Sequence, residues 1–323
     1  MLRILTVLCC FAMAFAQHPY SDPGIGTRPG AFSARSLGLG HTHLTSQPGP
    51  AALLGNPATL AFQESRWLLA LQSDVSRVKE TRSYPFYDSF DGILNYNNYA
   101  INDHLYSKLD GGVAYKVKTD KVESLVLSVA SYSTYSFDYT YHEEVRNRFS
   151  SGGIQDRRLG ENRIENEGDL RSISIGAASK MNGPLAVGAS VSLLSGDWTM
   201  LRGVYYADPD SINKVERYEF SPSGTPAEFN LGATYRINDR VSVGARALMP
   251  TGDFSYDQEY THMEADTTVF TSEFDQTYPK HFAVGVQYRP QNEFRPLLML
   301  EGELHTYSDV QDYLDDSFEI RAG

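Results

Sequence analysis

A pair of histidines near the N-terminus is the first feature of this sequence that could perform chemistry. His41 and His43 lie two residues apart and could offer two imidazole ligands to a metal ion. Protein zinc sites use three or four ligands, and no third ligand lies close to this pair in the sequence. Acidic residues further along could suggest calcium, but they lack the glycine and the closing glutamate of a calcium loop; they are Asp309, Asp312, Asp315 and Asp316. The sequence therefore predicts no metal site and no cofactor.

Catalytic motifs are the second kind of chemistry to consider. The sequence holds no G-x-S-x-G nucleophile elbow, and none of its eight histidines lies in a recognisable catalytic motif. The glycine-rich stretch GIGTRPG does not match the dinucleotide-binding pattern, which needs a preceding strand and a following helix. We therefore expect no catalytic residues and no enzyme. The open alternative is a membrane lipase whose serine and histidine are far apart in the sequence.

A cluster of arginines could bind phosphate groups. Arg157, Arg158, Arg163 and Arg171 could contact lipopolysaccharide, because a guanidinium group matches phosphate oxygens. Acidic residues are interleaved with them, which favours a solvated loop that pairs its own charges; they are Glu161, Glu165, Glu167 and Asp169.

The first 16 residues have the layout of a signal peptide. A positive charge at Arg3 precedes an apolar run from Ile4 to Ala16, which ends in the small-x-small pattern of a cleavage site. Cleavage after Ala16 removes both cysteines of the chain; the alternative is that Cys9 or Cys10 anchors a lipoprotein. The formal net charge of −12 excludes nucleic acid as an expected partner, because phosphate binding needs a clustered basic surface. We expect an exported protein.

Strict alternation of apolar and polar residues predicts the elements that position any site. In PAEFNLGATYRI (226–237) every odd residue is apolar, and successive side chains of a strand point to opposite faces. The turn NDR follows, and VSVGARALM repeats the alternation as the second strand of a hairpin. We expect the polar face to line a lumen, with Glu228, Asn230, Arg236 and Arg246 on it.

Four such hairpins have short turns, whereas the connections between hairpins are long. The turns lie near Asp120, Gly183, Asn238 and Gln291. The long polar segments are predicted as loops at roughly 76–108, 140–168, 199–225 and 255–278. Short turns on one side and long loops on the other are typical of outer-membrane barrels, whose long loops lie outside the cell.

A soluble β-sandwich also alternates apolar and polar residues, so alternation alone leaves two fold classes open. Strands of about 10 residues match a tilted crossing of the bilayer, and no segment is long and apolar enough for a membrane helix. Aromatic residues collect where strands meet polar segments, as in interfacial girdles: Trp67, Tyr135, Phe137, Tyr139, Trp198, Tyr205, Tyr206 and Tyr288. The favoured class is an all-β transmembrane antiparallel barrel in the bacterial outer membrane. Outer-membrane lipid and the barrel-assembly machinery are then its expected partners.

One segment before the first strand is rich in small residues and poor in charge. ARSLGLGHTHLTSQPGPAALLGNPATLAF (34–62) fits a compact plug inside a barrel. It resembles the N-terminal hatch of the FadL/TodX family of long-chain fatty acid and hydrocarbon transporters, in which an A-R-x-x-G-x-G-like opening is followed by N-P-A. The matching positions are Ala34, Arg35, Gly38, Gly40, Asn56, Pro57 and Ala58.

This resemblance implies a 14-stranded barrel and passive uptake of a hydrophobic small molecule. It implies gating by a hatch that includes Gly38, Gly40, Asn56, Pro57 and Ala58. The expected organisation is a signal peptide at 1–16, a hatch at 17–64 and a barrel at 65–323. We count nine spanning strands and the start of a tenth in SFEIRAG, so we expect a barrel truncated at the C-terminus. The alternative function, implied by PorV-like relatives, is an outer-membrane component of a protein secretion system.

Overall fold

The computed structural model describes residues 26–29, 32–46, 49–87, 90, 92–147, 157–181, 183–251, 253–263, 267–291, 296–310 and 314–323. The expected signal peptide, the first part of the expected hatch, and Asp312 lie outside these ranges. None of the described helices is long and apolar enough to cross a membrane.

Antiparallel strands make up most of the described chain. Their bounds are β1 Trp67–Tyr87, β2 Ile93–Val117, β3 Ser124–Ser136, β4 Tyr139–Asn147, β5 Arg157–Lys180, β6 Leu185–Ser195, β7 Trp198–Tyr206, β8 Lys214–Pro222, β9 Ala227–Arg236, β10 Val241–Pro250, β11 Asp253–Met263, β12 Thr267–Thr277, β13 His281–Tyr288, β14 Leu298–His305 and β15 Ser317–Ala322.

Ten of these strands form one continuous sheet, which we call the spanning sheet. Its order is β1-β2-β3-β5-β6-β9-β10-β13-β14-β15, with only antiparallel neighbours. These are the strands that the sequence pattern identifies, including the tenth in SFEIRAG. The sheet is not closed, because within the described residues the edge strand β1 pairs only with β2 and the edge strand β15 pairs only with β14.

The two faces of the spanning sheet differ as the alternation predicts. On β9, Phe229 and Leu231 are exposed, whereas Glu228 and Asn230 are buried. Neighbouring strands repeat this arrangement, with exposed Val284 and Leu300 and buried Glu301. The outer face is therefore apolar and available to lipid, and the polar face is turned inwards. The predicted all-β fold class is confirmed.

The long segments that the sequence indicates as loops are largely strands. Beyond the spanning sheet, β4, the first half of β5, β7, β8, β11 and β12 form a second set of antiparallel pairs, and β1 and β2 extend alongside. We call this region the extension. The loop prediction was wrong because these strands are held by backbone pairing and mix charged and apolar residues on their outer side, with Ile101 and Leu105 exposed on β2 and Arg217 and Glu219 on β8. They therefore lack the strict apolar alternation of the spanning strands. Residues 264–266, within the predicted 255–278 loop, lie outside the described residues.

The four short turns lie at the end of the sheet opposite the extension, as the sequence predicts. The predicted aromatic girdle is only partly correct. Trp67, Tyr206 and Tyr288 are exposed, but Tyr135, Phe137, Tyr139 and Trp198 are buried inside the molecule. An alternating pattern assigns a residue to one face of a strand or the other, but in a strand that is polar on both faces it does not identify the solvent-exposed face.

Candidate functional site

The chain before β1 folds into short helices rather than strands. An α-helix, α1 (Ala34–Gly38), begins where the Ser33 hydroxyl accepts a hydrogen bond from the Ser36 N–H. Two 3-10 helices follow, Pro50–Leu53 and Pro57–Phe62, and each begins with proline. Proline suits a first helical position because its missing N–H has no intrahelical partner there. We call residues 26–64 the N-terminal segment.

The spanning sheet wraps around the N-terminal segment. Residues near Gly49 and Pro50 contact β1, β2 and β3, and Leu53, Asn56 and Pro57 contact β5, β6 and β9. On the other side, Leu44 packs against β10 and β13, His43 bonds to β14, and Gly40 contacts β15. One short stretch touches all ten strands of the sheet. The sheet therefore curves around this segment, which fills the space on its inner face.

Glycines on the inner face let the segment lie directly on the backbone of the strands. A Cβ added at Gly232 would lie 1.9 Å from Asn56 Oδ1, and one at Gly188 would lie 2.5 Å from the carbonyl carbon of Pro57. At Gly244 the added atom would lie 2.5 Å from the carbonyl oxygen of Leu44. Any side chain at these positions would displace the segment.

Asn56 links the segment to the sheet through several hydrogen bonds. Its Oδ1 accepts from the Ala58 N–H at 3.0 Å, which caps the second 3-10 helix. Its Nδ2 donates to Leu44 O at 2.6 Å, to Ala233 O at 3.2 Å and to Thr234 Oγ1 at 3.3 Å. The amide is fully buried, so replacing it would leave the carbonyls of Leu44 and Ala233 without this donor.

Polar residues of β6 and β9 capture the carbonyls at the end of the first 3-10 helix. Asn230 Nδ2 donates to Leu53 O at 2.9 Å and to Gly55 O at 2.7 Å. Ser190 Oγ donates to the same Leu53 oxygen at 2.6 Å. Carbonyls at a helix end have no partner inside the helix, and here the wall of the sheet supplies the donors.

A carboxylate on β14 holds the middle of the segment. Glu301 accepts hydrogen bonds from the N–H groups of His43, at 2.9 Å, and Leu44, at 2.7 Å. The carboxylate is buried, and bonds from N–H groups to a charged acceptor are stronger than neutral ones. Glu301 thus supplies hydrogen-bond acceptors for two backbone N–H groups of the segment, which is not paired with a strand at this point.

Next to it, Arg246 on β10 joins the segment to Glu303, on the same strand as Glu301. Its Nη1 lies 3.1 Å from His43 Nε2 and 3.4 Å from Leu54 O, and its Nη2 donates to Glu303 Oε1 at 2.5 Å. Burial and the neighbouring Arg246 guanidinium lower the pKa of His43 to about 3. The imidazole is therefore neutral: Nδ1 donates to His41 O at 3.0 Å and Nε2 accepts from Arg246.

The start of the segment is fixed by a buried ion pair. Arg28 Nη1 donates to Glu228 Oε1 at 2.8 Å and to Tyr135 Oη at 3.0 Å. Tyr135 in turn donates to Glu228 Oε1 at 2.6 Å. Glu228 is almost fully buried. Arg28 is therefore the counter-ion that offsets the cost of burying its carboxylate.

The structure separates the residues proposed from the sequence. Glu228, Asn230 and Arg246 lie on the inner face and contact the N-terminal segment. Arg236 lies at the end of that face, is exposed, and stacks on the Phe62 ring at 4.7 Å, so it does not line the packed interior. Gly40 has a positive φ of 61°, and a Cβ added there would collide with Ala322 O, whereas a Cβ added at Gly38 would have no atom within 4 Å.

Several residues of this site were not identified from the sequence. They are Arg28, Ser190, Glu301, Glu303 and Arg321. A signal was present in LMLEGELH, where Met299, Glu301, Glu303 and His305 share one face opposite Leu298, Leu300 and Leu304. A row of charged residues on one face of an otherwise apolar strand indicates a polar interior.

The extension has an interior of a different kind. Trp198 stacks between Phe137, at 4.1 Å between ring centroids, and Phe220, at 4.9 Å, while Tyr256 meets it edge-on. These rings are buried with Tyr135 and Tyr278 in one cluster, which we call the aromatic cluster. It is connected to the N-terminal segment through the bond from Arg28 to Tyr135.

The curved antiparallel sheet with its N-terminal segment is similar in fold to solved hydrocarbon transporters. The chain is similar to the P. putida toluene transporter TodX, with a TM-score of 0.54 and 17% identity over 90% of this chain and 73% of that chain. For a Pseudomonas aeruginosa FadL homologue the values are 0.53 and 13%, over 91% and 72%. For the Ralstonia pickettii toluene transporter TbuX they are 0.52 and 14%, over 91% and 78%.

No protein-family model and no curated protein sequence matches the chain. The identities to the solved structures are low, so the similarity concerns the fold. At that level the resemblance to FadL/TodX-type outer-membrane barrels is confirmed.

Proposed function

We propose that the chain is a bacterial outer-membrane protein that lets a hydrophobic small molecule cross the membrane passively, with the N-terminal segment as the hatch. The observation that carries the proposal is the packing of this segment against all ten spanning strands. A segment that fills the inner face has to move, wholly or in part, before anything passes. The apolar outer face supports a location in lipid.

The ligand class follows from the neighbours and from the aromatic cluster. Two of the similar structures are toluene transporters. Inside the extension Phe137, Trp198 and Phe220 pack against one another, so a molecule that enters the extension meets apolar rather than charged side chains, which favours an apolar ligand. Hydrocarbons and long-chain fatty acids are the proposed substrates.

The three structures reported above do not include a secretion component, so the PorV-like alternative gains no support from them. The absence of enzymatic activity, the contact with outer-membrane lipid and the need for barrel-assembly machinery remain expectations. The boundary of the hatch at residue 64 is likewise a proposal.

Transport is tested in lipid vesicles. Vesicles containing the purified chain should take up radiolabelled toluene or oleate faster than empty vesicles do, and a hydrophilic sugar should not enter. Mass spectrometry of the organic extract of the purified protein should then identify a co-purifying apolar molecule. Uptake equal to that of empty vesicles for both probes would contradict the proposal.

The role of the hatch is tested by its anchor. Asn56→Ala removes the donors to Leu44 and Ala233, so the segment should loosen and single-channel conductance in planar bilayers should rise. Deletion of residues 35–58 should raise it further. The matched control is Asn213→Ala, whose side chain accepts the exposed Tyr206 N–H far from the segment. Equal conductance of the intact chain, Asn56→Ala and the deletion variant would show that residues 35–58 are not the plug.

A further inference from the structure

We propose that the inner face of the spanning sheet holds a binding site for a divalent transition-metal ion, with His281, Glu303 and His305 as ligands. Two of these side chains come from one strand and the third from its neighbour. This site is distinct from the His41 and His43 pair considered from the sequence, and it does not depend on the proposed transport.

Strand pairing brings the three side chains together. His281 is the first residue of β13 and is directly opposite His305, the last residue of β14. Glu303 precedes His305 by two residues and shares its face. One potential ligand atom from each residue lies within 4.8 Å of the others. Backbone pairing on both strands fixes this arrangement, so the ligands need no folding step to meet.

The two imidazoles have unused binding capacity. All three residues are buried, yet no nitrogen of His281 or His305 makes a well-formed hydrogen bond to a described residue. The rings meet edge-on with their centroids 4.4 Å apart. Buried nitrogen atoms are costly when they have no partner, and a metal ion would use one lone pair of each ring.

The distances suit an imidazole and carboxylate site. His281 Nδ1 lies 3.3 Å from Glu303 Oε1, close to the separation of two ligand atoms on a tetrahedral zinc ion whose bonds are about 2.0–2.2 Å long. His305 has to approach this pair by rotating its side chain. Imidazole with carboxylate is a ligand set that zinc, cobalt and nickel accept.

The surrounding charges allow a dication. Arg246 bonds to one oxygen of Glu303 and Arg321 to the other, which disfavours added positive charge. Glu319, directly opposite Glu303 on β15, accepts from Arg321 through Oε2 and has its Oε1 3.8 Å from His305 Nε2, and Glu301 is on the same strand face as Glu303. Three carboxylates therefore face two guanidinium groups, and Glu319 is within reach as a fourth ligand.

The experiment uses the full chain in detergent, purified without a histidine tag and dialysed against a chelator. Titration with Co²⁺ should give visible absorption bands of a nitrogen- and oxygen-coordinated ion at one equivalent per chain, and Zn²⁺ should abolish them by competition. The double variant His281→Gln, His305→Gln should bind at least about 100-fold more weakly, since even the loss of outer-shell partners weakens binding 10- to 100-fold.

The control is the double variant His104→Gln, His142→Gln. It removes another pair of neighbouring imidazoles, whose ring centroids lie 6.3 Å apart in the extension. It should bind Co²⁺ as the unaltered chain does. If the His281 and His305 variant does not fold, X-ray absorption of Zn²⁺ on the unaltered chain decides, because imidazole ligands give a recognisable scattering pattern. Absence of Co²⁺ binding by the unaltered chain, unchanged binding by the first double variant, or zinc without imidazole ligands would overturn the proposal.

Discussion

The spanning sheet and the β8 side of the extension have opposite polarity. In the spanning sheet the outer face is apolar, with Leu231 exposed, while the inner face carries buried Glu228 and Glu301. On β8 of the extension the outer face carries the charged pair Arg217 and Glu219, and the aromatic cluster lies inside. On β2 the outer face stays apolar, with Ile101 and Leu105 exposed.

This inversion fits the proposed location in a membrane, with lipid outside the spanning sheet and water outside β8. A strand in lipid must present apolar side chains outwards and can keep polar ones inside. A strand in water places its aromatic residues inside, as a soluble domain does. For the proposed membrane location, the point at which the outer face changes from apolar to charged marks the edge of the membrane, and variants on either side should respond differently.

The largest effect should come from the centre of the aromatic cluster. Trp198→Ala leaves a cavity between Phe137 and Phe220 and should lower the free energy of unfolding by about 3–5 kcal/mol. The measurement is urea unfolding in detergent micelles, followed by circular dichroism. The control is Trp67→Ala, at the exposed outer face, where a smaller loss is expected. An equal loss would mean that the extension has no water-excluding core.

The outer faces can be compared with one substitution. Leu231 in the spanning sheet and Leu159 in the extension are similarly exposed, at 49% and 45%. Leu231→Arg should lower the stability of the membrane-inserted protein by about 2–4 kcal/mol if it lies near the bilayer midplane. Leu159→Arg should change it by less than about 0.5 kcal/mol, as at a water-exposed site.

Folding into lipid vesicles at increasing urea concentration measures both variants. Similar losses at the two positions would contradict the assignment of Leu231 to lipid. Thr234→Arg is not a tolerated inner-face control, because Thr234 is buried against Asn56.

A moderate and local effect is expected where the segment meets the wall. Glu301→Gln replaces a charged acceptor by a neutral one for the His43 and Leu44 N–H groups, a difference of about 1 kcal/mol per hydrogen bond. Hydrogen exchange at each of these two amides should become about 5-fold faster. Glu219→Gln, in the extension, is the matched change and should leave both amides unaffected. Faster exchange throughout β14 would instead indicate that the strand itself is destabilised.

The smallest effect belongs to the surface of the extension. Arg217 and Glu219 form an ion pair at 2.7 Å with both side chains about half exposed. Arg217→Ala should therefore cost less than about 1 kcal/mol, and high salt should remove the difference. Urea unfolding at two salt concentrations measures it. Arg28→Ala, which leaves buried Glu228 without its partner, should cost several times more; a similar cost for both would show that the interior of the sheet is wet.

The sequence alone determined the ten spanning strands, their short turns and the face on which Glu228, Asn230 and Arg246 lie. These follow from a period of two, which is local and is read directly from residues such as Phe229 and Leu231. The role of the Asn56-Pro57-Ala58 motif is also partly local, because Asn56 caps the 3-10 helix that Pro57 begins.

Tertiary structure alone decided which strands meet and what their inner faces contact. The pairing of His281 with His305 and the capture of His43 by Glu301 join residues far apart in the chain, and no local pattern encodes such pairs. The extension was missed for the same reason: its strands are stabilised by backbone pairing and by rings such as Trp198 that meet only after folding. The hydrophobic period determines the face of the sheet on which a residue lies, whereas contacts between residues distant in the chain determine what packs against that face.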